Sequence, residues 1–296
     1  MSLDTSFDIK NIICSYFYNL NDAVNLYNLS KDHQDNIIIR NLYNIEKKYI
    51  NRLNQQIIEQ KKYRYVEKIN ALNNYEIENV NHMKETLKIL DCGWNCGIDQ
   101  NGISKLNLIE LYASCNNKIK NVNHMKNTLN ILNCCYSCGI DQNGISELNL
   151  IELYANYNKK IENVNYMKKT LKILYCGSYC KIDQNGISEL NLIELYANSN
   201  EKIKNVNHMK KTLKKLHCGG PYCGIDQNGI SELNLIELHV NDTSKIKNVN
   251  HMKETLKKLD CCGPHCGIDQ NGISELNLTE LNAIYNDKIT NVKLIK

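Results

Sequence analysis

Apolar positions return at a fixed interval over most of the chain. An eleven-residue stretch, Cys-Gly-Ile-Asp-Gln-Asn-Gly-Ile-Ser-Glu-Leu, occurs unchanged at 138–148, 223–233 and 266–276, and near-copies occur at 96–106 and 180–190. The aspartate of this stretch recurs at steps of 42, 42, 43 and 43 residues, at Asp99, Asp141, Asp183, Asp226 and Asp269. Such a constant spacing predicts one turn of a repeating architecture and not a chemical site copied five times.

Each repeat divides into two similar halves. The first half begins at Leu87 and the second at Leu108, and both read Leu-x-x-Leu-x-(Cys/Ala) before a further apolar residue. The period is therefore about 21 residues. A degenerate copy begins near Val66, so the sequence predicts eleven coils from there to the last residue.

Each coil is expected to begin with a short strand whose side chains alternate between core and surface. Leu90 and Cys92 then point into the core, whereas Ile89 and Asp91 face outward. One coil cannot close a core by itself, so stability depends on stacking with its neighbours. The Asn-Gly pair of the repeated stretch predicts a turn with positive φ.

Asparagines recur at one position of alternate coils. We expect them to hydrogen-bond the turn backbone of neighbouring coils, which would otherwise bury unpaired polar groups. These residues are Asn116, Asn158, Asn200 and Asn286, and Thr243 interrupts the series.

Residues 66–296 resemble the leucine-rich-repeat family, whose signature is Leu-x-x-Leu-x-Leu-x-x-(Asn/Cys)-x-Leu. The coils that carry the repeated stretch are most similar to the cysteine-containing subclass. The resemblance implies an α/β fold, a leucine-rich-repeat solenoid with a curved parallel sheet of about eleven short coils. These coils are shorter than those of the subclass, so we expect short turns or 3₁₀ segments on the convex side.

Residues 1–65 have helical apolar spacing, which predicts three short helices and a longer one near residues 35–62. The stretch from Asp8 to Ile38 resembles an F-box. We therefore divide the chain into an F-box-like helical segment at 1–45, a linking or capping helix at 46–65 and the solenoid at 66–296.

An F-box implies docking to a Skp-type adaptor of a cullin ubiquitin ligase. The resemblance assigns this contact to Ile9, Ile12, Ile13, Phe17, Leu20, Val24, Leu26, Leu29, Ser30 and Lys31. The duplicated repeats and the Asn-, Ile-, Lys- and Leu-rich composition look like those of giant viruses of amoebae or of protists. A viral protein that diverts host ubiquitination is one expectation.

The chain has 14 cysteines, many of them in pairs. Equivalent cysteines of alternate coils should lie about 9–10 Å apart, beyond the ~7 Å reach of a disulfide. A column of small buried residues is the favoured interpretation, and metal or redox use is the alternative. The pairs are Cys92/Cys96, Cys134/Cys138, Cys176/Cys180, Cys218/Cys223 and Cys262/Cys266.

Other motifs favour structural roles. The Asp-Gln-Asn-Gly stretch lacks the further oxygen ligands of a calcium loop. His124, His208 and His251 share one coil position, where Tyr166 stands in another coil, so a packing role is expected. No nucleophile–base set or phosphate loop is present, and the prediction is a non-enzyme without cofactor or metal.

The concave sheet face is the remaining candidate for function. A ladder of Tyr beside Glu and Lys suits protein recognition. Its predicted target-binding residues are Glu110, Tyr112, Glu152, Tyr154, Glu194, Tyr196, Glu237, His239 and Glu280. Outward residues of the intervening coils are expected between them, including Lys172/Tyr175 and Lys215/His217.

Charge and hydropathy exclude several partners. The net charge of +4 is spread without a long block of one sign, which argues against nucleic acid. No apolar run approaches the ~20 residues that span a bilayer, and the N-terminus lacks a signal peptide. We expect an intracellular, cytoplasmic protein, in the host cytoplasm if it is viral.

The function of the chain is expected to be target recognition for a Skp-cullin-F-box ligase. The alternative is a scaffold without a ligase link, whose N-terminal helices only cap the solenoid.

Overall fold

The computed structural model describes residues 39–43 and 51–291. The chain divides after Leu148 into two compact units. In the first, five short strands pair in parallel in chain order: β1 Asn41–Leu42, β2 Lys68–Asn70, β3 Ile89–Asp91, β4 Glu110–Tyr112 and β5 Ile131–Asn133.

The second unit repeats this arrangement with seven strands. They also pair in parallel in chain order: β6 Glu152–Tyr154, β7 Ile173–Tyr175, β8 Glu194–Tyr196, β9 Lys215–His217, β10 Glu237–His239, β11 Lys258–Asp260 and β12 Glu280–Asn282. Each unit is a parallel α/β repeat fold of the leucine-rich-repeat type, as predicted.

The central residue of each strand builds the core. Leu111 is fully buried and pairs with Leu90 and Leu132 in the neighbouring strands. Leu195 is buried in the same way in the second unit. Since each such side chain contributes about 1.5–3 kcal/mol when buried, stacked coils supply a core that no single coil has.

The return path of each coil is a single turn of 3₁₀ helix, as the short coil length predicted. In the first unit these turns are Lys61–Tyr63, Asn81–Met83, Asn101–Ile103, Asn123–Met125 and Asn143–Ile145. In the second they are Asn165–Met167, Asn185–Ile187, Asn207–Met209, Asn228–Ile230, Asn250–Met252 and Asn271–Ile273.

The repeated stretch joins coils through polar contacts. The Asp99 Oδ1 accepts a hydrogen bond from the Gly102 N–H at 2.9 Å, which closes the turn. The Gln100 Oε1 accepts from the N–H groups of Lys120 and Asn121, both at 2.9 Å, in the next coil. The apolar residues of the repeated stretch are buried, as predicted: Cys138, Ile140, Ile145 and Leu148.

The prediction of positive φ at Asn-Gly was wrong. Asn101–Ile103 is a right-handed 3₁₀ turn, and Gly102 is required for another reason. A Cβ at Gly102 would lie 2.2 Å from the Glu78 carbonyl oxygen of the preceding coil. Positive φ occurs instead in the loops after the strands, for example at Trp94 and Tyr136.

The asparagine series performs the predicted role. The Asn116 Nδ2 donates to the carbonyl oxygens of Cys92 at 2.8 Å and Ile98 at 3.0 Å. Its Oδ1 accepts from the Lys118 N–H at 3.0 Å. The side chain therefore satisfies backbone groups that face the core, which explains its burial.

A further coil precedes the eleven, and residues 39–43 and 51–62 do not form the long helix predicted near residues 35–62. These described residues hold β1, one short α-helix, α1, at Gln55–Ile58, and the start of the 3₁₀ turn Lys61–Tyr63. The Asn54 Oδ1 accepts from the Ile57 N–H at 2.9 Å, as Asp99 does for its own turn. The Gln55 Oε1 reaches the Glu78 N–H at 3.0 Å, as Gln100 does in its coil.

The domain boundaries predicted at residues 45 and 65 remain predictions. Every residue assigned to adaptor binding, from Ile9 to Lys31, lies outside the described residues. Within the described part, no helix is long and apolar enough to cross a membrane.

Candidate protein-binding face

Aromatic rings stack along the outward sheet face of the second unit. They occupy the third position of five consecutive strands, β6 to β10, and we call them the aromatic ladder: Tyr154, Tyr175, Tyr196, His217 and His239. Successive ring centroids lie 4.2, 3.9, 4.4 and 3.7 Å apart; the Tyr196 and His217 rings are tilted by 31°, and the other three pairs are stacked. The strands set this spacing because parallel neighbours lie about 4.7–4.9 Å apart.

Charged residues at the first strand position flank the rings. The Tyr196 hydroxyl donates to the Glu194 Oε2 at 2.7 Å. Burial and this hydrogen bond raise the pKa of Tyr196, so the hydroxyl stays protonated at neutral pH. The Lys215 Nζ lies 2.7 Å from the Glu237 Oε1 on the neighbouring strand.

The ladder ends in two parallel imidazole rings. The His217 and His239 ring planes differ by 10°. Burial, together with the neighbouring His239 and Lys215, lowers the pKa of His217 to about 4, so that imidazole is neutral at neutral pH. The Nε2 of His217 is buried and has no hydrogen-bond partner among the described residues.

The outward face of the first unit is different. Its third strand positions are polar apart from one tyrosine: Asn70, Asp91, Tyr112 and Asn133. The Tyr112 hydroxyl donates to the Glu110 Oε2 at 2.8 Å, and its ring centroid lies 6.5 Å from that of Tyr43 at a tilt of 55°. The Tyr43–Tyr112 contact is therefore wider and more tilted than the contacts of the aromatic ladder.

The predicted face residues all lie at outward strand positions. Tyr154, Tyr196 and His239 belong to the ladder, and Glu110 and Tyr112 lie in the first unit. The other predicted residues are first-position glutamates of the second unit: Glu152, Glu194, Glu237 and Glu280.

The target-binding set omitted Tyr175 and His217, although they complete the stack. The sequence could have indicated both residues, because each occupies the same strand position as a predicted tyrosine in a neighbouring coil. The first-position residue between Glu152 and Glu194 was also misassigned. Ile173 pairs with both glutamates, whereas Lys172 precedes the strand.

Most cysteines in the described part of the chain are buried in columns, as predicted, and the structure shows no disulfide among these described residues. Burial raises the pKa of Cys92 and of Cys176 well above the ordinary value, so both stay protonated. One pair is corrected: Cys261, not Cys262, is the fully buried partner of Cys266, because it directly follows β11 as Cys218 follows β9.

The recurring histidines outside the ladder contact backbone. The Nε2 of His124 lies 3.2 Å from the Ile103 carbonyl oxygen, and that of His208 lies 3.1 Å from the Ile187 oxygen. Burial lowers the pKa of both imidazoles. These contacts join neighbouring coils, which fits the packing role expected for this position.

A groove of about 710 Å³ lies beside the loops of the second unit. Tyr179, Tyr222 and Pro221 supply its apolar walls, and Lys159 and Lys202 lie at its border. Lys159 already lies 5.9 Å from the Tyr179 ring centroid, and the Lys202 Nζ lies 3.4 Å from the Cys180 carbonyl oxygen. Both cations thus contact the protein itself, and the groove lacks a converging catalytic set.

Comparisons with known proteins assign no family. No protein-family model matches the chain, and no curated protein matches it. One solved structure that it resembles is a chain in the crystal structure of the Rad7 and Elc1 complex in yeast. The TM-score is 0.45 and the identity 13%, over 98% of this chain and 91% of that chain. A likeness of this degree carries no argument about function.

Proposed function

We propose that this chain is a protein-binding adaptor and that the aromatic ladder is the centre of the face that holds its target. The observation that carries the proposal is the stack of five rings at one strand position. Tyrosine is enriched in the cores of protein interfaces. Rings that are already ordered by stacking lose little conformational freedom on binding.

The flanking charges support a polar, selective contact. Glu194 and Glu237 lie on one side of the rings, and Lys215 and Lys258 alternate with them along the first strand position. Charges of both signs at the border of an aromatic patch reject partners with the wrong charge pattern. This arrangement suits recognition of a folded or extended protein segment.

The test compares proteins that copurify with the full chain and with a ladder variant. Tyr154→Ala combined with Tyr196→Ala removes two ladder rings and leaves the buried leucines unchanged. We expect the variant to lose specific partners, while Lys168→Ala, an exposed change outside the sheet face, retains them. Circular dichroism verifies that both variants are folded. Retention of every partner by the ladder variant would contradict the proposal.

We further propose that the F-box-like segment docks a Skp-type adaptor of a cullin ubiquitin ligase. Its support is the sequence resemblance from Asp8 to Ile38. The solenoid would then present its target for ubiquitination, and a viral chain would divert host ubiquitination in this way. The chain itself supplies no catalytic group in this scheme.

Two charge substitutions test the adaptor contact. Leu20→Asp and Leu26→Asp in the full chain should each abolish copurification of the adaptor and cullin. Asn25→Asp is the matched control, because it adds the same charge next to Leu26 without removing an apolar side chain. Absence of adaptor and cullin from purifications of the unmodified chain would leave the scaffold alternative, in which the chain binds its target without a ligase.

A further inference from the structure

Two imidazoles and one carboxylate converge at the end of the aromatic ladder. His217 on β9 lies directly opposite His239 on β10, and Glu237 lies two residues before His239 on the same strand. All three side chains therefore project from one face of the sheet. Their possible ligand atoms lie within 4.8 Å of one another.

A buried ring nitrogen of His217 is a second indication of a ligand site. Its Nε2 is shielded from solvent and makes no hydrogen bond with the described residues. A buried polar atom without a partner costs free energy, so such atoms are uncommon and often mark functional sites. A neutral imidazole nitrogen with a free lone pair is also the commonest metal ligand in proteins.

The surroundings of His239 suit a ligand role as well. Its Nε2 lies 2.7 Å from the Glu237 Oε1, and its Nδ1 lies 3.4 Å from the Asp260 Oδ2. Without an ion the Nε2–H donates to Glu237, and the Asp260 carboxylate is placed to accept the proton on Nδ1 when Nε2 binds an ion. Metal-binding histidines are usually oriented by a carboxylate or carbonyl in this manner.

We propose that His217, Glu237 and His239 bind a divalent transition-metal ion of the zinc, nickel and copper class. Two imidazoles favour these ions over magnesium or calcium, which prefer oxygen ligands. Three protein ligands leave a fourth position for water or for a donor from a bound molecule. The two imidazoles also belong to the aromatic ladder, but the inference rests on the geometry of this cluster and does not require the adaptor or target proposals.

Besides the proton on His239, two features of the cluster must change when the ion binds. The ion lies in the plane of each imidazole that it contacts, so the two rings give up their parallel stacking. Lys215 must also move, because its Nζ lies 2.7 Å from the Glu237 oxygen that would bind the ion. Lys215 is therefore a competing cation, and its removal should strengthen binding.

The first experiment is calorimetric titration of the metal-free full chain with Zn²⁺ under reducing conditions. We expect one ion per chain at this site. His217→Ala and His239→Ala should each weaken binding more than about tenfold, since loss of even an outer partner of a metal ligand costs about 10–100-fold. Lys215→Ala should tighten it. His251→Ala is the control, because the His251 Nε2 contacts the Ile230 carbonyl oxygen at 3.1 Å instead.

Two measurements separate this site from the cysteines and from loss of folding. Bound Co²⁺ should give d–d bands without the intense near-ultraviolet absorption of thiolate ligation. His217→Tyr places in the ladder the same ring type that precedes it and removes the nitrogen ligand, so it should fold yet lose the ion. Binding that is absent, that shows thiolate absorption, or that survives His217→Tyr and His239→Ala would overturn the proposal.

Discussion

The two compact units have the same core and different outward faces. Leu111 and Leu195 are equally buried at the centre of their strands. The third strand position, in contrast, carries mostly polar residues in the first unit and five stacked rings in the second. Packing between coils fixes the inward positions, whereas the outward positions are free to vary. Differences in binding between the units should therefore arise from outward residues alone.

The largest expected effect tests whether the cores are equivalent. Leu111→Ala and Leu195→Ala each remove a fully buried side chain from between two leucines. Each should lower the free energy of unfolding by about 3 kcal/mol, the usual range for such a change being about 2–5 kcal/mol. Urea unfolding of the full chain measures both. A difference of several kcal/mol between the two variants would show that the cores are not equivalent.

The asparagine series offers a second comparison of equivalent positions. The Asn200 Nδ2 donates to the Cys176 oxygen at 2.6 Å and the Ile182 oxygen at 3.1 Å, as Asn116 does in the first unit. Asn200→Ala leaves two inward-facing carbonyls unpaired and should cost about 2 kcal/mol, with Asn116→Ala costing as much. Thermal unfolding measures both. Thr243→Asn, which restores the series, is the control and should not destabilise the chain.

The periodic part of the fold could be predicted from the sequence because burial imposes the same residues on every coil. The leucine and cysteine positions gave the period, the buried columns and the short turns. The additional first coil was missed because Ile37, Ile38, Leu42 and Ile45 also fit a helical spacing. Leu53-Asn54-Gln55-Gln56-Ile57-Ile58 nevertheless matches the 98–103 stretch in its Asn/Asp cap and its bridging glutamine.

The ring stack could be predicted only in part. The sequence indicated that tyrosines face outward, but contact between rings depends on strand register, which sets which neighbours lie side by side. Ile173, and not Lys172, lies opposite Glu152, and this register places Tyr175 against Tyr154. The pairing of His217 with His239 follows from the same register three coils further along. Sequence spacing alone does not fix such contacts.

The contribution of the stack itself can be measured against Tyr112 of the first unit, whose ring contact with Tyr43 is wide and tilted. Tyr175→Ala removes ring contacts on both sides, at 4.2 and 3.9 Å, and should cost about 1–2 kcal/mol. Tyr112→Ala should cost less than half as much, because its ring contacts that of Tyr43 at 6.5 Å between centroids and a tilt of 55°. Urea unfolding gives both values. Tyr175→Phe keeps the ring and should be nearly neutral; equal losses at Tyr175 and Tyr112 would show that stacking adds nothing.

The smallest expected change in stability at neutral pH concerns His217, at the imidazole end of the ladder. The pKa of His217 is lowered from 6.5 to about 4, chiefly by burial and then by His239 and Lys215, while Glu237 and Asp260 oppose the shift. Below pH 6.5 the unfolded chain therefore binds a proton that the folded chain does not, and stability falls as the pH drops toward 4.

His217→Tyr removes this group. The free energy of unfolding of the variant should therefore fall less between pH 7.5 and about 4.5 than that of the unmodified chain. Urea unfolding across this range measures the difference, with Tyr196→Phe as a ladder variant that leaves both imidazoles in place. Parallel pH profiles for His217→Tyr and the unmodified chain would show that His217 titrates alike in the folded and unfolded states.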